Sequence, residues 1–174
     1  VGIFIQFLDI EVAANMITIC IPTYNSERTL RQVVEAVAKR GNYQFLIYDN
    51  GSTDGTKEII ADLQKKYRIK TKIVPHKNVA NRHLNINRMY TEFVKDVETD
   101  YMFSLDSDVV INEKIEELIP YLNERVGAVG YSYQPANHLQ MGAVMMRTET
   151  ARKINWEVSS MCPCMNMANE LKKL

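Results

Sequence analysis

From Met16 onward the hydrophobic period of the chain switches repeatedly between two values, and this switching limits the fold more than any single residue does. "MITICI" is a short apolar run closed by Pro22, which cannot donate to a central strand ladder. "SERTLRQVVEAVAKRG" then places Leu30, Val33, Val34 and Val37 on one helical face, with Ser26 as the expected N-cap and Gly41 as the stop. "YQFLIY" predicts a second strand ending at Asp49, and "TDGTKEIIADLQKKY" a helix carrying Ile59, Ile60, Leu63 and Tyr67 on one side. "TKIV" predicts a third strand. Ile86, Met89, Tyr90, Phe93, Val94 and Val97 form one more helical stripe before a fourth strand, "YMFSL". Strands alternating with helices imply right-handed crossovers and an α/β fold, a mainly parallel sheet flanked by helices.

No repeat, low-complexity tract or long linker divides the 174 residues, so residues 16–174 read as a single domain. Residues 1–15 read as an N-terminal extension. Gln6, Asp9 and Glu11 interrupt its apolar pattern and no basic segment precedes it, so it is neither a membrane span nor a signal peptide. Lys+Arg and Asp+Glu both number 21, which argues against a nucleic-acid partner while leaving room for local basic patches. The run "KKYRIKTK" at 65–72 is one such patch, compatible with a peripheral contact to anionic lipid heads. Three cysteines without paired metal spacing point to a reducing, cytoplasmic setting, and Cys162-Pro163-Cys164 lacks a second pair to complete a zinc site.

Open α/β sheets bind ligands beyond the carboxyl ends of their strands. Three polar clusters fall at that edge: "PTYNSE" after the first strand, "DNGSTDGT" after the second and "DSD" after the fourth. Each alone has an ordinary explanation in turn chemistry or helix capping. Their shared placement is the informative part. In an extended segment residues i and i+2 point the same way, so Asp106 and Asp108 can face one hard cation, Mg²⁺ or Mn²⁺. Such an ion completes its shell with water and phosphate oxygens, which suits a diphosphate ligand. No G-x-x-x-x-G-K-[ST] loop occurs and no G-x-G-x-x-G follows a strand, so kinase and dehydrogenase readings lose support.

Taken in series, "ITICIPTYNSERTL", "FLIYDNGSTDGTKEII" and "YMFSLDSDVVI" resemble the first half of a GT-A-type glycosyltransferase of the family-2 group, over roughly residues 16–112. The resemblance implies a nucleoside diphosphate sugar donor and a divalent cation. It assigns Pro22, Thr23, Tyr24, Asn25 and Glu27 to the base and ribose. It assigns the Asp49-Asn50 pair to base recognition, and Asp106, Ser107 and Asp108 to the ribose and metal, with Asp106 and Asp108 as the ligands. The family's second carboxylate after strand two is here an amide, Asn50, which accepts from a pyrimidine N3–H but also donates. UDP- or dTDP-sugar is therefore favoured, with GDP-sugar as the alternative. The family's basic residue before the fourth strand matches Arg82, with Arg88 second; His76, His83 and His138 read as surface residues or acceptor contacts.

Residues 113–174 resemble the acceptor-side half less closely. "YSYQPANH" supplies rings and polar groups of the kind that line sugar sites, with Tyr131 and Tyr133 equally suited to a core. The helix "CMNMANELKKL" should begin with an acidic pair, and Pro163-Cys164 stands there instead. Either the activity differs, or another carboxylate serves, or the protein continues past Leu174. Among upstream carboxylates Glu157 is the expected general base, since Glu149 is placed to cap its helix and Glu170 lies inside the last one. The readings are then a metal-dependent, inverting transferase acting on a hydroxyl of a glycan, protein or lipid-linked acceptor, a catalytically silent nucleotide-sugar-binding module, or a nucleotidyltransferase.

Overall fold

The computed structural model describes residues 17–76, 81–131, 139–157 and 161–174. Its order of elements is β1 (Ile17–Thr23), α1 (Leu30–Ala38), β2 (Gln44–Asp49), α2 (Thr56–Gln64), β3 (Ile69–Ile73), α3 (Arg82–Asp96) and β4 (Tyr101–Leu105). A 3₁₀ helix (Ile115–Tyr121), β5 (Ala128–Gly130), β6 (Ala143–Arg147), α4 (Thr148–Lys153) and α5 (Pro163–Leu171) follow. The six strands form one sheet in the order β3-β2-β1-β4-β6-β5. β1 pairs in parallel with β2 and β4, and β2 with β3; β6 runs antiparallel to both β4 and β5. The α/β fold with a mainly parallel sheet is thus present, with an antiparallel edge built by the second half.

The period of two along the strands sorts the core into two layers. Ile17, Ile19 and Ile21 of β1 join Phe45 and Ile47 of β2 and Phe103 and Leu105 of β4 under α1, α2 and the 3₁₀ helix. Cys20, Leu46, Tyr48, Met102 and Met146 point to the other face, under α3, α4 and α5. The stripe Leu30, Val33, Val34 and Val37 is buried as its spacing requires, and so are Met89, Tyr90, Phe93 and Val97. Burial of each such side chain contributes on the order of 1.5–3 kcal/mol. Tyr48 stacks on Phe93 at 4.3 Å and Tyr90 on Trp156 at 5.0 Å, tying the sheet and the α4–α5 connection to α3.

Two local expectations are corrected. Ser26 does not cap α1: the helix starts at Leu30 with Thr29 before it, and the Ser26 carbonyl accepts from the Thr29 and Leu30 N–H groups. β3 begins at Ile69, two residues before "TKIV", because Phe45 and Leu46 of β2 are already paired with Ile69 and Lys70. The segment after "DSD" forms a 3₁₀ helix that contains Pro120. The proposed extension at 1–15, together with Tyr133 and His138, lies outside the described residues. Among the described residues no helix is long and apolar enough to cross a membrane.

The chain winds from β1 to β2 to β3, then returns through α3 on the opposite face to place β4 on the other side of β1. The strand order therefore reverses between β1 and β4, and a crevice opens beyond their carboxyl ends, the usual ligand position in such sheets.

Candidate functional site

A cleft of about 360 Å³ occupies that crevice. Its walls carry Thr23 and Tyr24 from the end of β1, Asn50 from the end of β2, His76 from the end of β3, Arg82 at the start of α3, and the Asp106–Asp108 segment after β4. Pro22, Ile86 and Met89 supply apolar surface. All four parallel strands thus contribute to one place.

The two loops after β1 and β2 lock each other. Asn25, in the left-handed region at φ 49°, accepts from the Thr53 N–H at 2.9 Å, and its own N–H donates to Ser52 Oγ at 2.8 Å. Glu27 Oε2 accepts from the Gly55 N–H at 2.8 Å, satisfying a donor at the start of α2, and the Ser26 N–H donates to Thr56 Oγ1 at 2.7 Å. Asn25 and Glu27, assigned by resemblance to the nucleotide, therefore have loop-to-loop partners in this structure. Ser26 Oγ lies 2.8 Å from Ser107 Oγ, which ties the same loop to the segment after β4.

The Asp49-Asn50 pair divides its work. Asp49 is 1% exposed, and its carboxylate accepts from the Ser52 N–H at 3.1 Å and from the Ser52 hydroxyl, holding a turn in which Gly51 sits at φ +85°. That positive φ is where glycine costs least. Asn50, one residue on, faces the cleft. Its Nδ2 donates to Met89 Sδ at 3.1 Å, while its Oδ1 is buried without a hydrogen-bond partner among the described residues. An unsatisfied buried acceptor is costly, and one at a cleft wall suits an incoming N–H.

Tyr24 is half exposed and meets His76 edge-on, with ring centroids 4.7 Å apart and planes at 85°. His76 is the cleft residue that the motifs missed. Its signal was positional, since it follows the third strand at the same edge as the three clusters. Arg82 is exposed at the N-terminal end of a 15-residue helix and forms no ion pair among the described residues. Its charge and the helix dipole both favour an anion there. Arg88 points elsewhere, donating to the Pro75 carbonyl at 3.5 Å.

Asp106 is fixed by its N–H, which donates to the Gly142 carbonyl at 3.0 Å, while its own carbonyl accepts from the Val109 N–H at 3.2 Å. Burial, and then the negative charge of Asp108, push its carboxyl up to about 6. No cationic side chain pairs with either aspartate among the described residues. Two adjacent carboxylates without a counter-charge fit a hard divalent cation. The described residues offer no cluster of three or more His, Cys, Asp or Glu, so such an ion would rely on water and ligand oxygens for the rest of its shell.

In the second half of the chain, Cys164 lies in the first turn of α5, where the resemblance leads one to expect an acidic pair. It accepts from the Met141 N–H at 3.3 Å, and burial pushes its thiol up to about 11, so it stays protonated near neutral pH. Glu157 is exposed, follows α4, and lies outside the residues lining the cleft; its N–H donates to Asn155 Oδ1 at 3.3 Å. Glu149 lies in the first turn of α4, and Glu170 pairs with Lys173 and accepts from the Asn155 N–H. Tyr131 packs against the first core layer and donates to the Lys114 carbonyl at 3.2 Å.

Comparison with known proteins agrees with this architecture. The S. aureus protein TarS, residues 1–349 with UDP, superposes with a TM-score of 0.65 at 15% identity, covering 89% of this chain and 54% of that one. Glucosyl-3-phosphoglycerate synthase of Mycobacterium tuberculosis gives a TM-score of 0.55 at 18% identity, over 80% of this chain and 60% of that one. In sequence, the abequosyltransferase RfbV of Salmonella typhimurium is 28% identical over 115 residues, 63% of this chain and 33% of the relative. A dolichyl N-acetyl-alpha-D-glucosaminyl phosphate glycosyltransferase of Methanococcus voltae is 40% identical over 57 residues, 30% of this chain and 18% of the relative. The chain thus spans from under a fifth to a third of these two curated relatives. Residues 18–170 match the model of glycosyl transferase family 2, and the chain belongs to that family.

Proposed function

We propose that the cleft takes a nucleoside diphosphate sugar with Mg²⁺ or Mn²⁺, and that the protein transfers the sugar to a hydroxyl of a glycan, protein or lipid-linked acceptor. The observation that carries this is convergence in one cleft of three chemistries, each without a partner among the described residues: the acceptor of Asn50, the cation of Arg82, and the carboxylate pair Asp106 and Asp108. Asn50 Oδ1 accepts the imide N–H of uracil or thymine in the cleft that Thr23, Tyr24 and His76 also line. Arg82 and the start of α3 meet the diphosphate. Complexes of TarS with UDP-GlcNAc and of the mycobacterial synthase with UDP support a uridine donor over a guanosine one. Asp106 and Asp108 would hold the cation, which supplies neutralising charge to the leaving diphosphate. Ser107, bonded to Ser26, keeps that segment against the β1 loop.

The base for an inverting transfer is proposed to be Glu157, because Cys164 is held as a neutral thiol. That same substitution favours a second reading, a donor-binding module without transfer activity. A thermal-shift screen of nucleotide sugars with and without Mn²⁺ tests the donor. A ligand at 100 times its Kd adds about 2.7 kcal/mol of stability, and no response to any uridine or thymidine nucleotide with metal would defeat the proposal. Donor hydrolysis or transfer distinguishes enzyme from silent module, and release of pyrophosphate would indicate a nucleotidyltransferase instead.

A further inference from the structure

At the opposite pole of the sheet, where α1 and α2 end, lies a second cleft of about 440 Å³. Lys39, Arg40, Lys66 and Arg68 rim it, all exposed. None of the four enters an ion pair among the described residues, whereas neighbouring Lys65 and Lys70 are paired with Asp62 and Glu98. Helix carboxyl ends favour cations, which accounts for Lys39 after α1 and Lys66 after α2. It does not account for Arg68, on the way into β3.

The floor of this cleft holds a second unusual group. Glu116 Oε2 accepts from the Tyr43 hydroxyl at 2.5 Å, while Glu116 Oε1 is buried with no hydrogen-bond partner among the described residues. Gly41 leaves that oxygen room, since a Cβ there would stand 3.0 Å from it and 2.6 Å from the Tyr43 ring. A bare anion would satisfy the rim and be repelled by the floor. A neutral polyol would satisfy the floor and leave four cations unused. We propose that this cleft binds a hydroxyl-bearing phosphate ester, its phosphate among Lys39, Arg40, Lys66 and Arg68 and a hydroxyl donating to Glu116 Oε1. The chemistry is shared by a free glycerol phosphate and by the headgroup of a phosphatidylglycerol surface. The site is independent of the donor cleft, which lies at the other edge of the same strands.

Titration calorimetry of the whole chain with sn-glycerol 3-phosphate, inorganic phosphate and glycerol tests this, alongside co-sedimentation with phosphatidylglycerol and phosphatidylcholine vesicles. Saturable binding of glycerol 3-phosphate identifies a soluble source. Binding only to phosphatidylglycerol vesicles identifies a lipid one. In either case Lys66→Glu/Arg68→Glu, at two exposed positions, weakens binding at least tenfold and leaves UDP affinity with Mn²⁺ unchanged. Glu116→Gln removes the preference for the hydroxylated ester over inorganic phosphate, or for phosphatidylglycerol over another anionic headgroup without free hydroxyls. The proposal is overturned if wild-type protein binds neither glycerol 3-phosphate below about 10 mM nor phosphatidylglycerol vesicles, or if the double charge reversal binds as well as wild type. Loss of UDP binding with this site intact would refute the donor reading alone.

Discussion

Replacing Asn50 with alanine removes the acceptor proposed to read the nucleobase. In the free protein Asn50 is 3% exposed and its Oδ1 has no hydrogen-bond partner among the described residues, so the cost of desolvating it is already present before any ligand arrives. An N–H reaching it from a base gains a hydrogen bond without that cost. The gain should therefore sit in the upper part of the usual net range, about 1–1.5 kcal/mol, or about 5- to 13-fold in Kd at 25 °C. Calorimetry with UDP and Mn²⁺ should show this loss in Asn50→Ala. A nucleotide methylated at N3 of uracil should bind wild type at least as poorly, because it has no N–H to offer. The same methylated ligand should lose little in Asn50→Ala, so the two changes are strongly non-additive. Asn50→Asp should keep or tighten UDP binding, since a charged acceptor makes a stronger bond. It should also lower the melting temperature, because Met89 Sδ loses its donor and a carboxylate enters a buried position. Equal UDP affinity in wild type and Asn50→Ala, or N3 methylation tolerated by wild type, would refute the reasoning.

Three further outcomes are expected. Asp108→Ala should abolish Mn²⁺-dependent donor binding while leaving the far-ultraviolet circular dichroism spectrum unchanged, because Asp108 is exposed; donor binding that still requires metal would remove it as a ligand. Glu157→Gln should lower turnover by about 10²–10⁴-fold with donor affinity held; full activity would exclude it as the base. Phe93→Ala should cost about 3–5 kcal/mol in chemical denaturation, since Phe93 is fully buried and stacked on Tyr48.

The sequence was most legible where structure is local. Leu30, Val33, Val34 and Val37 declared a helix face by spacing alone, and β1, β2 and β4 declared themselves by short apolar runs closed by polar turns. What it could not show depends on partners distant in sequence. Ser26 looks like a cap until Thr56 and Ser107 claim it. Asn25 and Glu27 lie in the loop that the resemblance names, and their partners are the residues at 52–55, which no motif spacing reveals. Asp49 and Asn50 are indistinguishable as a string. The turn with Gly51 at φ +85° sends the first into Ser52 and the second into the cleft. His76 reads from the sequence as a surface residue or acceptor contact because the third strand ends without a polar cluster, although placement at the same edge marks it as well as the others. Cys164 stands in α5, and its burial, which no motif spacing reveals, pushes the thiol up to about 11.

The central claim is that one cleft, between the carboxyl ends of β1 and β4, binds a nucleotide and a divalent cation together. Paramagnetic broadening of backbone amide signals by Mn²⁺, with and without UDP, tests it most directly. The account predicts that Mn²⁺ with UDP broadens residues 106–108 first and then Asn50 and Arg82, that UDP sharpens the metal's site preference, and that Asp108→Ala removes the effect. Broadening centred elsewhere on the molecule, or unchanged by UDP, would contradict it.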